Sequence, residues 1–257
     1  MTEQKRNIFR TLQSSIFYRD NAIPLLFIVV VSTILSMKQI GDEGAISLNG
    51  DMPRYLMNGA FVYDVLREFP IHNPLEYAHR YFSKYPALSV GHHPPLLGVV
   101  EAPFFAVGGV SVRSGRFTVI FFFLIAIVFF YLTARQIYST TAAFIATLFL
   151  STNSFIIEYT RMVMSEIPAL SLIIVTVYFF QSFLRNPTQL RLLLLTFASL
   201  ILSILARQQS IFLIPTFLLA YLLNKGMKNI NFRLLAIGGA VFVLLLIPFA
   251  LVTAKYS

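Results

Sequence analysis

The residues able to do chemistry crowd into one stretch, 39–93. It holds Asp42, Glu43, Asp51, Arg54, Tyr55 and all four histidines, His72, His79, His92 and His93. A carboxylate can take a proton from a hydroxyl, an imidazole can give or take one near neutral pH, and a guanidinium can hold a phosphate. Asp51-Met52-Pro53-Arg54-Tyr55 reads as the opening of a helix that runs to about Glu68, because Pro53 suits a first turn and Phe69-Pro70 a stop. Asp51 is then the N-cap, where its oxygens can accept free backbone N–H groups, and it is also placed to act as a base. His92-His93-Pro94-Pro95 sets two imidazoles on an extended turn. There they either bind a phosphate or protonate a leaving group, or form a plain surface turn. Adjacent histidines cannot share a helix face as a zinc-binding pair does, which argues against a metal site.

The elements that must hold these groups are apolar. Of 257 residues 57% are hydrophobic and only 12% charged, against about 25% charged in a soluble domain. Apolar runs fall at 21–38, 94–110, 115–134, 140–157, 166–184, 190–206, 209–224 and 232–253, to be compared with the roughly 17–25 residues that span a bilayer. The chain therefore reads as an all-α, multi-pass membrane protein, and soluble enzymes and secreted disulfide scaffolds are excluded. The net charge of +9 comes largely from basic residues flanking the apolar runs, so it orients the chain in a membrane and implies no nucleic acid. With no cysteine, thiol catalysis, thiolate zinc and disulfides are excluded. No Walker, GxGxxG, GxSxG or HExxH signature is present.

The lysines and arginines also choose a topology. The run at 94–110 contains Pro94, Pro95, Pro103 and the carboxylate Glu101, which is costly at bilayer depth, so it is expected to lie along the surface. Seven spans then remain. With the N-terminus (Lys5, Arg6, Arg10, Arg19) inside, six residues (Arg135, Arg185, Arg191, Lys225, Lys228, Arg233) also fall inside, against Arg161, Arg207 and Lys255 outside. An eighth span would reverse that bias. The expected organisation is a basic cytoplasmic segment over 1–20, amphipathic through Ile8, Leu12 and Ile16 or else a frayed tail, followed by a first span over 21–38. An extracytoplasmic loop over 39–114 with a surface helix at 94–110 comes next, then spans two to seven over 115–257. In this topology Arg161, Glu166 and Arg207 reach the same face as the loop, although Glu166-Ile167-Pro168 also suits a helix start.

The ordered set of these motifs resembles the GT-C superfamily of membrane glycosyltransferases. It is nearest to family 39, which includes the protein-mannosyltransferase-like, aminoarabinose-transferase-like and RgtA-type enzymes. The resemblance rests on Asp51-x-x-x-Tyr55, then His93-Pro94-Pro95-Leu96, an arginine at the next span (Arg113 or Arg116), and Arg161-x-x-x-x-Glu166-x-Pro168, over roughly 50–185. The family commonly has Asp-Glu at the first position, which makes Asp42-Glu43 a rival to Asp51-Met52. A lysine often stands at His93 and an aspartate at Glu166. Members are usually longer, so the chain is expected to carry the shared core.

The resemblance implies transfer of a hexosyl or pentosyl group from a polyprenyl-phosphate-linked donor to an acceptor hydroxyl on a lipid, glycan or protein. The transfer would be inverting, at the outer face of the inner (plasma) membrane, with the N-terminus cytoplasmic. In that scheme Asp51 is the catalytic base, while His93, His92, Arg161 and Arg207 hold the donor phosphate. Glu166, Glu43, Asp42 and Tyr55 orient the acceptor or a cation. A divalent cation, Mg or Mn, is left open by the family, and no ligand set stands out. The competing reading is a non-catalytic membrane subunit or fragment, or a polyprenyl-lipid transporter, which would more often show broken spans and charges at mid-membrane depth.

Overall fold

The computed structural model describes residues 19–38, 40–41, 50–70 and 72–225, with isolated helical positions beyond. Asp42, Glu43, the segment before Arg19 and most of the run at 232–253 lie outside the described residues. Ten α-helices are described in chain order: α1 (Arg19–Met37), α2 (Met52–Glu68), α3 (Pro74–Lys84), α4 (Leu96–Gly108) and α5 (Val112–Arg135), then α6 (Thr140–Thr152), α7 (Ser154–Thr160), α8 (Glu166–Arg185), α9 (Leu190–Ala206) and α10 (Leu213–Lys225). A 3-10 turn, Gln208–Phe212, leads into α10. Among the described residues there is no strand, only a single bridge between Val90 and His93.

Two helices, α5 and α8, are long and apolar enough to cross a membrane, and a third crossing results if α6 and α7 count as one bent span. The run at 140–157 was expected as one continuous span, and here it differs. It breaks at Asn153 with a bend of 59°, because Asn153 adopts extended backbone and its Oδ1 accepts from Ile156 N at 3.2 Å, capping a new helix. The run at 209–224 likewise begins with the 3-10 turn rather than as α-helix.

The core forms where periodicity puts it. In α5, Val119, Phe123, Ile127 and Tyr131 recur every four residues, are buried, and meet Ile167, Ala169, Leu172 and Tyr178 of α8. On α1 the pattern is inverted for a lipid solvent. Ile23, Phe27, Val30 and Ile34 form an exposed stripe, while Ser32 and Ser36 are buried and donate to the carbonyls of Ile28 and Ser32, both at 2.7 Å. Back-bonding of this kind satisfies hydroxyls without water.

Two polar layers tie the helix ends. At one end, Arg135 Nε and Tyr131 Oη donate to Asn21 Oδ1 at 2.9 and 3.2 Å, Gln136 donates to Ser182 Oγ at 2.9 Å, and Arg185 donates to the Gln136 carbonyl. At the other, Arg116, only 2% exposed, donates from Nε to Arg161 O at 2.8 Å and from Nη1 to Ile40 O at 2.9 Å. The end of α5 thus meets the start of α1 and the end of α8, and the end of α1 meets the start of α5.

Against that second end lie α2 and α4, packed through small residues. A Cβ on Gly98 would come within 3.2 Å of the backbone of Asn58 and Gly59, and one on Gly59 would come within 2.2 Å of Glu101 Oε2. Glu101 is completely buried on this α2 side of α4. On the other flank α3 hangs from α2: Tyr81 Oη donates to Asp64 Oδ2 at 2.9 Å, and its ring meets Phe61 edge-on at 5.1 Å. Burial and a hydrogen bond with Glu68 push the Tyr77 hydroxyl up to about 12.

Candidate active site

The site is assembled at four helix ends. Asp51 stands at the N-cap of α2, and its carbonyl accepts from Arg54 N and Tyr55 N at 2.9 and 3.0 Å. Its side chain, however, makes no capping hydrogen bond. Asp51 Oδ1 instead takes a hydrogen bond from Arg54 Nη1 at 3.3 Å and faces His93 Nε2 across 3.7 Å. The carboxylate thus remains open to solvent, with 44% of the side chain exposed.

Tyr55 lies one turn further along the same face of α2. Its ring sits 4.6 Å from that of His93 and its hydroxyl shares a 2.9 Å hydrogen bond with Ser165 Oγ. Ser165 is the residue before α8, so this bond joins α2 to the start of a membrane-capable helix. Glu166, the first residue of α8, takes an ion pair from Arg207 at the end of α9. Its second oxygen, Oε2, is buried with no hydrogen-bond partner among the described residues. Met52, Tyr55, Leu97 and Val163 close an apolar floor beneath the group.

The His93 turn is positioned by a residue the motifs did not single out. Asn58 Oδ1 accepts from Ser89 N at 2.9 Å, and the Ser89 carbonyl in turn accepts from His92 N at 3.1 Å and His93 N at 3.3 Å. His92 is exposed and lies edge-on to His93, ring centres 5.0 Å apart. Asn58 and Ser165 were therefore missed, and Arg54, named among the polar residues of 39–93, had no assigned role. Asn58 follows Tyr55 by three positions and Arg54 follows Asp51 by three, spacings that put each on the same helix face. For Ser165 no local signal exists.

Electrostatics reflect this crowding. Burial drives the Tyr55 hydroxyl above its ordinary value, and the negative charges of Glu166 and Asp51 add to that, while the Ser165 hydrogen bond and Arg207 oppose it. Burial pushes the His93 imidazole below 6.5, with His92 and Arg54 adding and Asp51 and Glu166 opposing. His93 is thus mainly neutral at neutral pH, and can offer one N–H and one lone pair.

Not every expected group converges here. Arg161 Nη2 donates to Leu35 O at 3.4 Å and its carbonyl holds Arg116, which joins it to the junction of α1 and α5. Nor do the described residues suit a divalent cation. Both carboxylates of the group face guanidiniums, and among the described residues no cluster of three or more metal-ligating side chains occurs. What the group can do is take a proton at Asp51 and hold an anion with Arg54, Arg207 and the histidines.

A helical membrane protein with this polar group at its helix ends falls, by a family match, in the class of GT-C-type glycosyltransferase-like proteins. The family model described as dolichyl-phosphate-mannose-protein mannosyltransferase matches residues 92–251, more than half of the chain, and the chain belongs to that family. No curated protein and no solved structure matches it. At the level of the family, a lipid-linked sugar donor and a glycan or protein acceptor are implied. His92, His93, Arg161, Glu166 and Arg207 lie inside the matched range, whereas Asp51 and Tyr55 precede it.

Proposed function

We propose that this chain transfers a sugar from a polyprenyl-phosphate-linked donor to an acceptor hydroxyl, with inversion, at the extracytoplasmic face of the plasma membrane. The observation that carries the reading is the meeting of Asp51, Arg54, Tyr55, His93, Glu166 and Arg207, drawn from the starts of α2, α4 and α8 and the end of α9, in one partly open group. In the reaction, the acceptor oxygen attacks the anomeric carbon while the bond from that carbon to the phosphate oxygen breaks. Its electron pair leaves with the phosphate. Asp51 takes the acceptor proton, and Arg207, His93 and Arg54 hold the charge that develops on the leaving group. His92, edge-on to His93, flanks that path as a further phosphate contact. Glu166 sets the angle of Arg207, and Tyr55, tied to Ser165, forms the wall against which the sugar lies. Asp42 and Glu43 are further candidates to orient the acceptor. With one displacement and one base, the anomeric configuration inverts.

Seven spans, a cytoplasmic N-terminus and an outer loop over 39–114 follow from the lysine and arginine count, and they put this group on the outer face. Support comes from α4. His93 before it meets Asp51, and Gly108 at its end is within reach of Ser114 in the first turn of α5. Both of its ends therefore lie beside the same end of the bundle, as a helix along the surface requires. The deciding experiment incubates the purified full chain in lipid nanodiscs with a panel of polyprenyl-phosphate sugars and acceptor glycans or peptides, and reads product and anomer by NMR. Transfer with retention, or no transfer with any donor, overturns the proposal. In the second case the chain acts as a non-catalytic subunit.

A further inference from the structure

A separate site lies toward the opposite end of α4 from His93. A groove of about 380 Å³ opens between the last turn of α4 and the first turn of α5, lined by Phe104, Val107, Gly108, Arg113, Ser114 and Phe117. Eight residues of α4, Leu96 to Pro103, roughly 12 Å at 1.5 Å per residue, lie between it and the His93 turn, and no residue of the Asp51 group lines it. Its lining is apolar apart from the Arg113 guanidinium and the Ser114 hydroxyl. Arg113 is exposed, its guanidinium carbon stands 5.8 Å from the centre of the Phe117 ring, and among the described residues no carboxylate forms an ion pair with it.

The surroundings are those of a membrane boundary. α5 is long enough to cross a bilayer, which sets its first turn at the polar–apolar interface. Val107, 93% exposed, and Val110, 54% exposed, extend the apolar rim outward. Gly108 keeps the floor open, because a Cβ there would stand 2.7 Å from Ser114 Oγ. The hydroxyls of Ser111 and Ser114 share one hydrogen bond of 3.0 Å, and Ser111 Oγ also accepts from Ser114 N, which leaves one hydroxyl proton to donate.

We propose that this groove is a binding site for an anionic, phosphate-bearing membrane lipid distinct from the sugar donor. The lipid's phosphodiester sits on Arg113 and the free hydroxyl of the Ser111–Ser114 pair, and an acyl chain lies along Phe104, Val107 and Phe117. Charge complementarity selects the occupant: the lining has one cation and no anion, a guanidinium matches a phosphate with paired N–H groups, and a zwitterionic headgroup would bring its own ammonium against Arg113. The inference does not depend on the transferase reading.

The test uses the purified full chain in mixed micelles holding equal amounts of phosphatidylglycerol and phosphatidylcholine, with retained lipid counted by native mass spectrometry. Phosphatidylglycerol is expected to be retained over phosphatidylcholine by about 5-fold, the scale set by one arginine at an anionic lipid surface. Arg113→Gln should abolish that preference, and Arg113→Lys should keep most of it. Equal retention of the two lipids by the wild-type chain overturns the site, as does an unchanged preference in Arg113→Gln. Displacement of the retained phosphatidylglycerol by inorganic phosphate alone also overturns it, since the groove would then hold a bare anion.

Discussion

Asp51 occupies the N-cap of α2 yet gives neither carboxylate oxygen to the helix's free N–H groups; it is turned toward Arg54 and His93. Substitution should therefore cost little of the ~1 kcal/mol that a working cap contributes. Asp51→Asn and Asp51→Ser are expected to unfold within a few degrees of wild type while sugar transfer falls about 10²-fold or more, the scale of a lost acid–base group. Near-normal turnover by both variants, measured in the nanodisc assay, would remove Asp51 as the base. His93 makes a separate prediction. Because burial holds its imidazole below 6.5 in the folded chain, the unfolded chain takes up its proton at a higher pH. Its contribution to stability is therefore complete above that value and lost as the pH falls toward the folded one. Thermal unfolding in detergent should show a melting temperature that declines from about pH 8 to about pH 5, and His93→Gln should flatten that decline. A slope identical in the two proteins would mean that His93 is not the responsible group.

At the scale of elements, the separation of α2 and α4 sets the distance between Asp51 and His93. Gly59 and Gly98 allow the two helices to touch backbone to backbone, and the Asn58 clamp on Ser89 then fixes the histidine turn. Gly59→Ala places a methyl against Glu101 and against the Phe105 ring, 2.8 Å from its Cε2, so the helices must part. A loss of about 1–3 kcal/mol is expected, as for other overpacked contacts, together with reduced transfer. Glu101→Ala in the same chain removes the nearest of the three atoms in the way, Glu101 Oε2, while the Cβ at 2.8 Å and the Phe105 ring stay, and should restore part of the stability, a coupling that a double-mutant cycle measures. Strict additivity of the two substitutions would show that the Gly59–Glu101 contact is not what sets the spacing.

Over the whole molecule, the lysine and arginine count makes a proposal about sidedness. The lysine and arginine count assigns Arg135 and Arg185 to one side of the membrane and Arg161 and Arg207 to the other. The first pair lies in the polar layer around Asn21, Gln136 and Ser182. Arg161 holds Arg116 at the opposite end of α5, and Arg207 holds the first residue of α8. The natural absence of cysteine makes this directly testable. Single cysteines at Ser111 and Ser257 should react with an impermeant thiol reagent on intact cells, whereas one at Ser139, exposed between α5 and α6, should react only after permeabilisation. Labelling of Ser139→Cys in intact cells, with protection of Ser111→Cys, would reverse the orientation.

What the sequence determined by itself was the local and the collective. Apolar runs of set length gave α5, α8 and α9 nearly to the residue, and Asp51 and Pro53 marked the start of α2. The prolines and Glu101 marked α4 as a segment unlike the other apolar runs. These features are written in short windows, where hydropathy, proline geometry and capping act over a few residues. Helix α3 escaped notice because its Asn73-Pro74 start and its Tyr77–Tyr81 spacing lie in a polar stretch without an apolar run. Only the tertiary structure decided which cation meets which carboxylate. Tyr55 and Ser165 are 110 residues apart when their hydroxyls meet, Arg207 reaches Glu166 from the next helix, and Arg161, an equally plausible arginine by spacing, reaches the end of α1 instead. Such pairings depend on how far each helix is rotated about its axis and where it crosses its neighbour. That is a property of interdigitated side chains on several helices at once, and no single window of sequence contains it.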